Sequence, residues 1–314
     1  MVIAVVIAVI LGVVVWSSGD DPVAPLPPAP SPVAAKPAAN LSPLTGEPGP
    51  GRAVLAVKVD NSPQGRPWTG VNDADVVYVE PVEGGVTRLL AVFASHLPPS
   101  AGPVRSFRES DIDVLAAYGR PALAFSGNAP ELNRLVASGP VVPVSPDQVA
   151  GAYRRGRGEA PHNLYGDPTA LVRAARGVAG PRDVGFRFGA APAGGQPAED
   201  VKETIGTTPV DLHAANGRYT VAFDGRPAIT ENGPATVVVQ RVPIKASAVH
   251  DVVGAPSPTA VTVGRGAVDV LRDGKRWTGI WSRPDPGAPT TYTGADGKPL
   301  TFAPGPVWVL LARG

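Results

Sequence analysis

Asp21 to Pro50 reads DPVAPLPPAPSPVAAKPAANLSPLTGEPGP, and a tract so rich in proline and alanine cannot pack a core. Proline fixes φ and lacks an N–H, so such a chain runs extended and polyproline-like. In front of it, Met1 to Trp16 (MVIAVVIAVILGVVVW) is an uncharged apolar run. At about 1.5 Å per residue, a helix of this run falls a little short of a hydrocarbon core of about 30 Å. Ser17 to Gly19 extend it, and Asp20 and Asp21 close it. An acidic flank suits the outer side of a membrane, because Lys and Arg gather inside. The two features read as a transmembrane anchor (1–19) and a spacer (20–42), with every folded residue outside the cytoplasm. No basic residue precedes the run; a start further upstream is one explanation, and a cleaved signal is the alternative to an anchor. The chain holds no cysteine, so a lipidated cysteine, disulfides and thiol chemistry are not expected.

The remainder is long enough to bury a real core. The net charge is +1, which does not suggest a nucleic-acid partner. Much alanine, glycine, proline, valine and arginine with little lysine points to a GC-rich genome, as in actinobacteria.

Short apolar runs at Ala53 to Val59, Asp75 to Glu80 and Val86 to Ala94 predict three strands, with Gly84-Gly85 as the turn of a hairpin. Cap signals predict helices over Arg108 to Tyr118, Pro130 to Ser138, Gln148 to Arg155 and Thr169 to Arg176. Strands at Ala122 to Phe125 and Val141 to Val144 fall between them. The order predicts an N-terminal mixed α/β domain over 43–182, then a linker over 183–206 that contains the low-complexity GAAPAGGQPAED. Strands divided by Asp-Gly turns predict a smaller antiparallel β-rich domain over 207–314. The fold class expected is therefore α+β or mixed α/β, in two domains.

The sequence lacks a G-x-S-x-G elbow, an H-E-x-x-H pair, a phosphate loop and a dinucleotide fingerprint. His96, His162, His213 and His250 are scattered, so no metal site and no cofactor are expected. Polar residues instead crowd the ends of apolar strands, where ligands of open sheets bind. Asp60 and Asn61 end the first strand, Glu80 and Glu83 flank the hairpin turn, and Arg88 leaves it. Arg105 and Arg108 sit in GPVRSFR, and His162 and Asn163 in APHNLY. These nine are the candidate ligand-binding residues; the two arginines could clamp a carboxylate or phosphate with their planar donor forks. Each also has a plainer reading, as turn residues or as loop-holding ion pairs. Trp277, Trp281 and Trp308 read as core of the β-rich part or as a sugar-stacking platform.

Taken in order, PLTGE (43–47), VKVDN (57–61), GRPWTGV (65–71), ADVVYVEPVEGGVTRLLAVF (74–93), GPVRSFR and APHNLY resemble the YerB-like family of bacterial envelope lipoproteins. VVVQRV, DGKRWTGIW and DGKPLTFAPGPVWVLL extend the resemblance to Leu311. It implies a membrane-attached, extracytoplasmic protein with two conserved regions, and it supplies no activity. Members of the family anchor through a lipidated cysteine, which the apolar run replaces here. The function expected is a binding or scaffold protein for a wall component or an envelope protein, not an enzyme. The alternative is an enzyme of cell-wall or glycan metabolism using Asp60, Glu80, Glu83 and His162.

Overall fold

Continuous apolar runs mark strands covered on both faces, and the first three strands have that setting. The computed structural model describes residues 40–49, 51–250, 254 and 256–314. The expected anchor, and the spacer up to residue 39, lie outside the described residues. Among those described, no helix is long and apolar enough to cross a membrane.

β1 (Leu55–Asp60) and β3 (Thr87–Phe93) are buried at every position, and β2 (Val76–Pro81) at all but Tyr78. β3 pairs antiparallel with both of the others, setting Arg88 opposite Asp60 on one side and opposite Glu80 on the other. After α1 (Glu109–Ala116), β4 (Ala122–Ala124) joins β1 in parallel. α2 (Asn133–Ser138) leads to β5 (Val142–Pro143), parallel to β4. β6 (Tyr153–Arg155) and β7 (Leu164–Gly166) form a separate ribbon. In α3 (Pro168–Ala174), the Asp167 carboxylate accepts from the Ala170 N–H at 3.0 Å and proline takes the first turn, as the sequence signals.

The helix expected over Gln148 to Arg155 does not form; a single turn at Ala150–Ala152 runs straight into β6. The Gln148 side chain folds back to accept from the Ser145 N–H at 2.8 Å, so the cap-like Ser145-Pro146-Asp147 closes a tight turn instead. With β6 paired to β7, the following residues have strand partners for their backbone groups.

The later half supplies β8 (Gln196–Pro197), β9 (Asp200–Ile205), β10 (Thr208–Ala215), β11 (Arg218–Phe223) and β12 (Arg226–Ile229). The last four make an antiparallel sheet in the order β12-β11-β10-β9. Then follow β13 (Thr236–Val242), β14 (Ile244–His250), β15 (Pro256–Ala260), β16 (Gly264–Arg272), β17 (Lys275–Arg283), β18 (Thr291–Gly294) and β19 (Val307–Arg313). β14 and β15 pair only with each other.

The main sheet has eleven strands in the order β18-β17-β16-β13-β19-β2-β3-β1-β4-β5, with β8 attached to β17. β19 lies between β13 and β2 and is parallel to both. The segments 43–182 and 207–314 therefore share one sheet, and its later half is mixed rather than antiparallel. The fold class also departs from the expected α/β alternation. Three α-helices of eight, six and seven residues stand against nineteen strands, so the described chain is mostly β. The shared sheet follows from the VWVLL of β19, which is too apolar to leave an edge open and takes a neighbour from each segment.

Each face of the sheet has its own core. On one lie α1, α2 and the β14–β15 hairpin, with Leu90, Phe107, Leu115 and Val249 among the packed side chains. On the other lie α3 and the four-stranded sheet, with Leu89, Leu171, Leu212 and Phe223. The segment 183–206 is built into this scaffold rather than linking two bodies. Phe186 packs 5.0 Å from Phe302, and β8 and β9 are strands. One of its glycines serves close approach: a Cβ on Gly195 would meet the Trp277 ring at 2.3 Å. Trp277 and Trp281 are 7% and 1% exposed, and their indole N–H groups donate to the Ala193 and Arg241 carbonyls. They are core residues, which removes the sugar-platform reading.

Candidate functional site

β1 and β2 run the same way, since both are antiparallel to β3. Their carboxyl ends and the loops beyond carry Asp60, Asn61, Glu80 and Glu83, the start of β3 carries Arg88, and the segment from β3 to α1 carries Arg105 and Arg108. Residues opposite one another in an antiparallel pair share a face, so Asp60, Arg88 and Glu80 stand in a row across three strands. Lys58, two residues before Asp60, is on the same face.

Three loops gather around this row. The β2–β3 turn carries Glu83 and is made by Gly84 and Gly85, whose φ values of 69° and 74° are left-handed. The GPVRSFR loop is pinned to β1, the Arg105 N–H donating to the Lys58 carbonyl at 2.8 Å. It is also pinned to the loop after β4, the Phe107 N–H donating to the Gly127 carbonyl at 3.1 Å. From the later segment, the β14–β15 hairpin brings Val249 and Ser257. Together they enclose a cleft of about 560 Å³ lined by Glu83, Arg88, Arg105, Ser106, Arg108, Asn128 and Ser257, with Val82, Val86, Leu132 and Val249 as apolar wall.

Arg108 grips Glu83 through Nε at 2.8 Å and Nη2 at 2.5 Å, and the Ser257 hydroxyl donates to the same carboxylate. Burial works against the Glu83 charge, but the bonds from Arg108 and Ser257 outweigh it and hold its pKa down at about 2. Arg88 donates to the Ser106 carbonyl at 2.9 Å and pairs with no carboxylate among the described residues. Burial, then the neighbouring charges of Arg108 and Arg105, push its pKa down to about 9, with Glu83 and Asp60 opposing. Arg105 places Nε 3.4 Å from Asp60 Oδ2 without hydrogen-bond geometry.

Behind Arg105, Asp60 Oδ2 lies 2.6 Å from His162 Nδ1. Burial would raise the Asp60 pKa, but hydrogen bonds from Ser62 and His162 and the charge of Arg105 hold it below the usual range. Ser62 Oγ also approaches His162 Nδ1, at 3.3 Å. Both contacts fall on one ring nitrogen, whereas a serine relay needs the hydroxyl on the other.

Under the row, Lys58 is fully buried, with Nζ 2.8 Å from Glu80 Oε2 and 2.7 Å from Asp111 Oδ1. Burial and the Asp111 charge raise the Glu80 pKa to about 7 against the pull of Lys58. Its Oε1 has no hydrogen-bond partner among the described residues. Asp111 Oδ2 accepts from the Arg108 N–H at 2.6 Å, tying this cluster to the start of α1. Among the described residues, no group of histidines and carboxylates is arranged to hold a metal ion.

Of the nine candidates, Glu83, Arg88, Arg105 and Arg108 meet on the cleft. Asp60 and His162 stand behind Arg105, and Glu80 is closed off beneath. Asn61 donates to Thr87 Oγ1 at 2.6 Å, and Asn163 accepts from Arg155 and donates to the Gly158 carbonyl, so both tie turns together. Lys58, Asp111, Ser106 and Ser257 were not among the candidates. Lys58 had a signal, a lone charge inside AVLAVKV; the others have none without the fold.

Residues 42–180 match the family model described as "Protein of unknown function (DUF3048) N-terminal domain", and residues 208–309 match that of its C-terminal domain. The chain belongs to the DUF3048 family. The cleft is lined from both matched regions, with Glu83 and the arginines from the first and Ser257 from the second. A stretch of 126 residues is 32% identical to "Putative lipoprotein YerB" of Bacillus subtilis, covering 40% of this chain and 38% of that protein. The crystal structure of YerB from Bacillus subtilis matches with a TM-score of 0.72 at 23% identity, over 87% of this chain and 97% of that one. The fold is shared, and the resemblance read in the ordered motifs is established.

Proposed function

We propose that this DUF3048 protein is an extracytoplasmic binding protein whose arginine-lined cleft takes the anionic part of a cell-envelope component. The observation that carries the reading is Arg88. It is 9% exposed, has Arg105 and Arg108 for neighbours, and faces the cleft with no carboxylate paired to it among the described residues. A charge withdrawn that far from water is costly unless it is paired. A bound anion would supply the pair. Titration calorimetry of the full chain with inorganic phosphate and with acetate tests this. Saturable binding of at least one is expected, weakened about tenfold or more in Arg88→Gln, as loss of a charge-assisted hydrogen bond implies. No binding of either would sink the proposal.

Attachment to the membrane through Met1 to Trp16 belongs to the same reading, and the word lipoprotein in the relative's name supports a membrane location. Alkaline extraction of membranes should leave the chain in the pellet; release into the soluble fraction would remove this part. The enzyme reading has weaker support. Glu83, held at about 2, is a poor general base near neutral pH, and Glu80, whose pKa would suit, is sealed from the cleft.

A further inference from the structure

We propose that the cleft takes the phosphate ester of an aliphatic alcohol, the phosphate on Arg88 and Arg105 and the hydrocarbon along Val82, Val86 and Val249. This rests on the anion-binding reading and adds what the anion is and what it is attached to.

The donors decide the anion. Arg108 has Nε and Nη2 on Glu83 and Nη1 on the Phe107 carbonyl, so its guanidinium is occupied. Arg88 uses Nη1 on Ser106, and Arg105 turns its buried Nε towards Asp60 while no hydrogen bond among the described residues holds its Nη1 or Nη2. Two guanidinium groups thus keep N–H groups for a ligand. A carboxylate offers two oxygens, enough for one fork, whereas a phosphate monoester offers three terminal oxygens and can be shared by two.

The walls decide the body. A bare phosphate has five heavy atoms, and about 560 Å³ is the space of a much larger ligand. Beyond the arginines, the apolar lining is Val82, Val86, Ala129, Pro130, Leu132 and Val249, and Glu83, Ser106, Asn128, Glu131, His250 and Ser257 supply the polar lining. Val86 is 38% exposed, and only Leu41, at 40%, is another large hydrophobic so open among the described residues. Two of the polar lining groups that a sugar body could use are already engaged. Asn128 has its amide nitrogen on Ala129 and Asn133, and the Ser257 hydroxyl is on Glu83. Polar hydroxyls set against these valines would lose water without replacement, while methylenes would gain.

The test is calorimetry on the full chain in phosphatidylcholine nanodiscs, titrated with inorganic phosphate and with ethyl, butyl and hexyl phosphate. Each methylene that reaches the valine wall should tighten binding roughly fourfold, until the cleft is filled. Arg105→Gln should weaken every member by a similar factor. Val86→Ser should flatten the dependence on chain length, with circular dichroism showing both variants folded. Hexyl phosphate binding no tighter than inorganic phosphate overturns the aliphatic body and leaves the anion site standing. Hexanoate binding as tightly as hexyl phosphate overturns the phosphate. If no anion binds at all, this proposal and the one before it fall together.

Discussion

Lys58 is the residue on which the site's foundations depend. A fully buried ammonium between Glu80 and Asp111 is expensive to desolvate, yet once in place it cannot be removed cheaply, because two carboxylates would be left facing each other. Lys58→Met should therefore cost about 3–5 kcal/mol, read as a loss of unfolding free energy in urea. Glu80 adds a pH dependence whose sign can be worked out. Its pKa rises from an ordinary 4.5 to about 7 on folding, so between those values the folded chain keeps a proton that the unfolded chain has released. Stability then falls as pH rises through that window. In Glu80→Gln the melting temperature should depend less on pH between about 5 and 8 than in the parent chain; an unchanged slope would show that Glu80 keeps an ordinary pKa. Glu83 acts oppositely. Its pKa is depressed, so its contribution is complete above about 4.5 and is lost as pH falls towards about 2.

At the scale of elements, α3 is held by a cap that can be tested alone. Asp167→Ala removes the bond to the Ala170 N–H and should cost about 1 kcal/mol, measured against Asp167→Asn, which keeps an acceptor. This cap was legible because its chemistry is local. The first three strands were legible for a related reason: each is an apolar run that can only be central. β14 (IKASAVH) is different. It has no apolar run, and its strand character comes from β15, a partner residues away, and from the cleft it covers. β9 was hidden inside a stretch whose glycine, alanine and proline read as linker, although Val201 and Ile205 are buried in the core. The site divides in the same way. Glu83 and Arg88 flank one tight turn, and Arg105 and Arg108 lie three apart in the segment after β3, so sequence proximity approximated spatial proximity within each pair. Ser257 reaches Glu83 across 174 positions, a distance that no spacing rule covers. Asp60 and Glu80 were found, but their partners turn inwards, which depends on the face each strand presents.

At the scale of the whole molecule, the seam of β19 with β13 and β2 decides how the halves behave. Four register pairs join the halves, from β19 to β2, and seven more tie β19 to β13 within the later half. Unfolding of the described region should appear as one transition by calorimetry, and two separated transitions would show that the halves melt independently. Deleting residues 307–314 should leave both segments without a stable sheet, because β2 and β13 would each lose a neighbour along a strand buried almost throughout. Limited proteolysis of the truncated chain should cut within both segments rather than in one.

The central place of β19 also sets a timetable. It occupies residues 307–313, so the first-made strands must wait for almost all of the chain before their missing neighbour arrives. Through that interval β2 presents an open, valine-rich border to anything nearby. A chain delivered across a membrane end-first would meet the outside in that unfinished state. Its demand for an escort during delivery should then be greatest just before the last strand emerges.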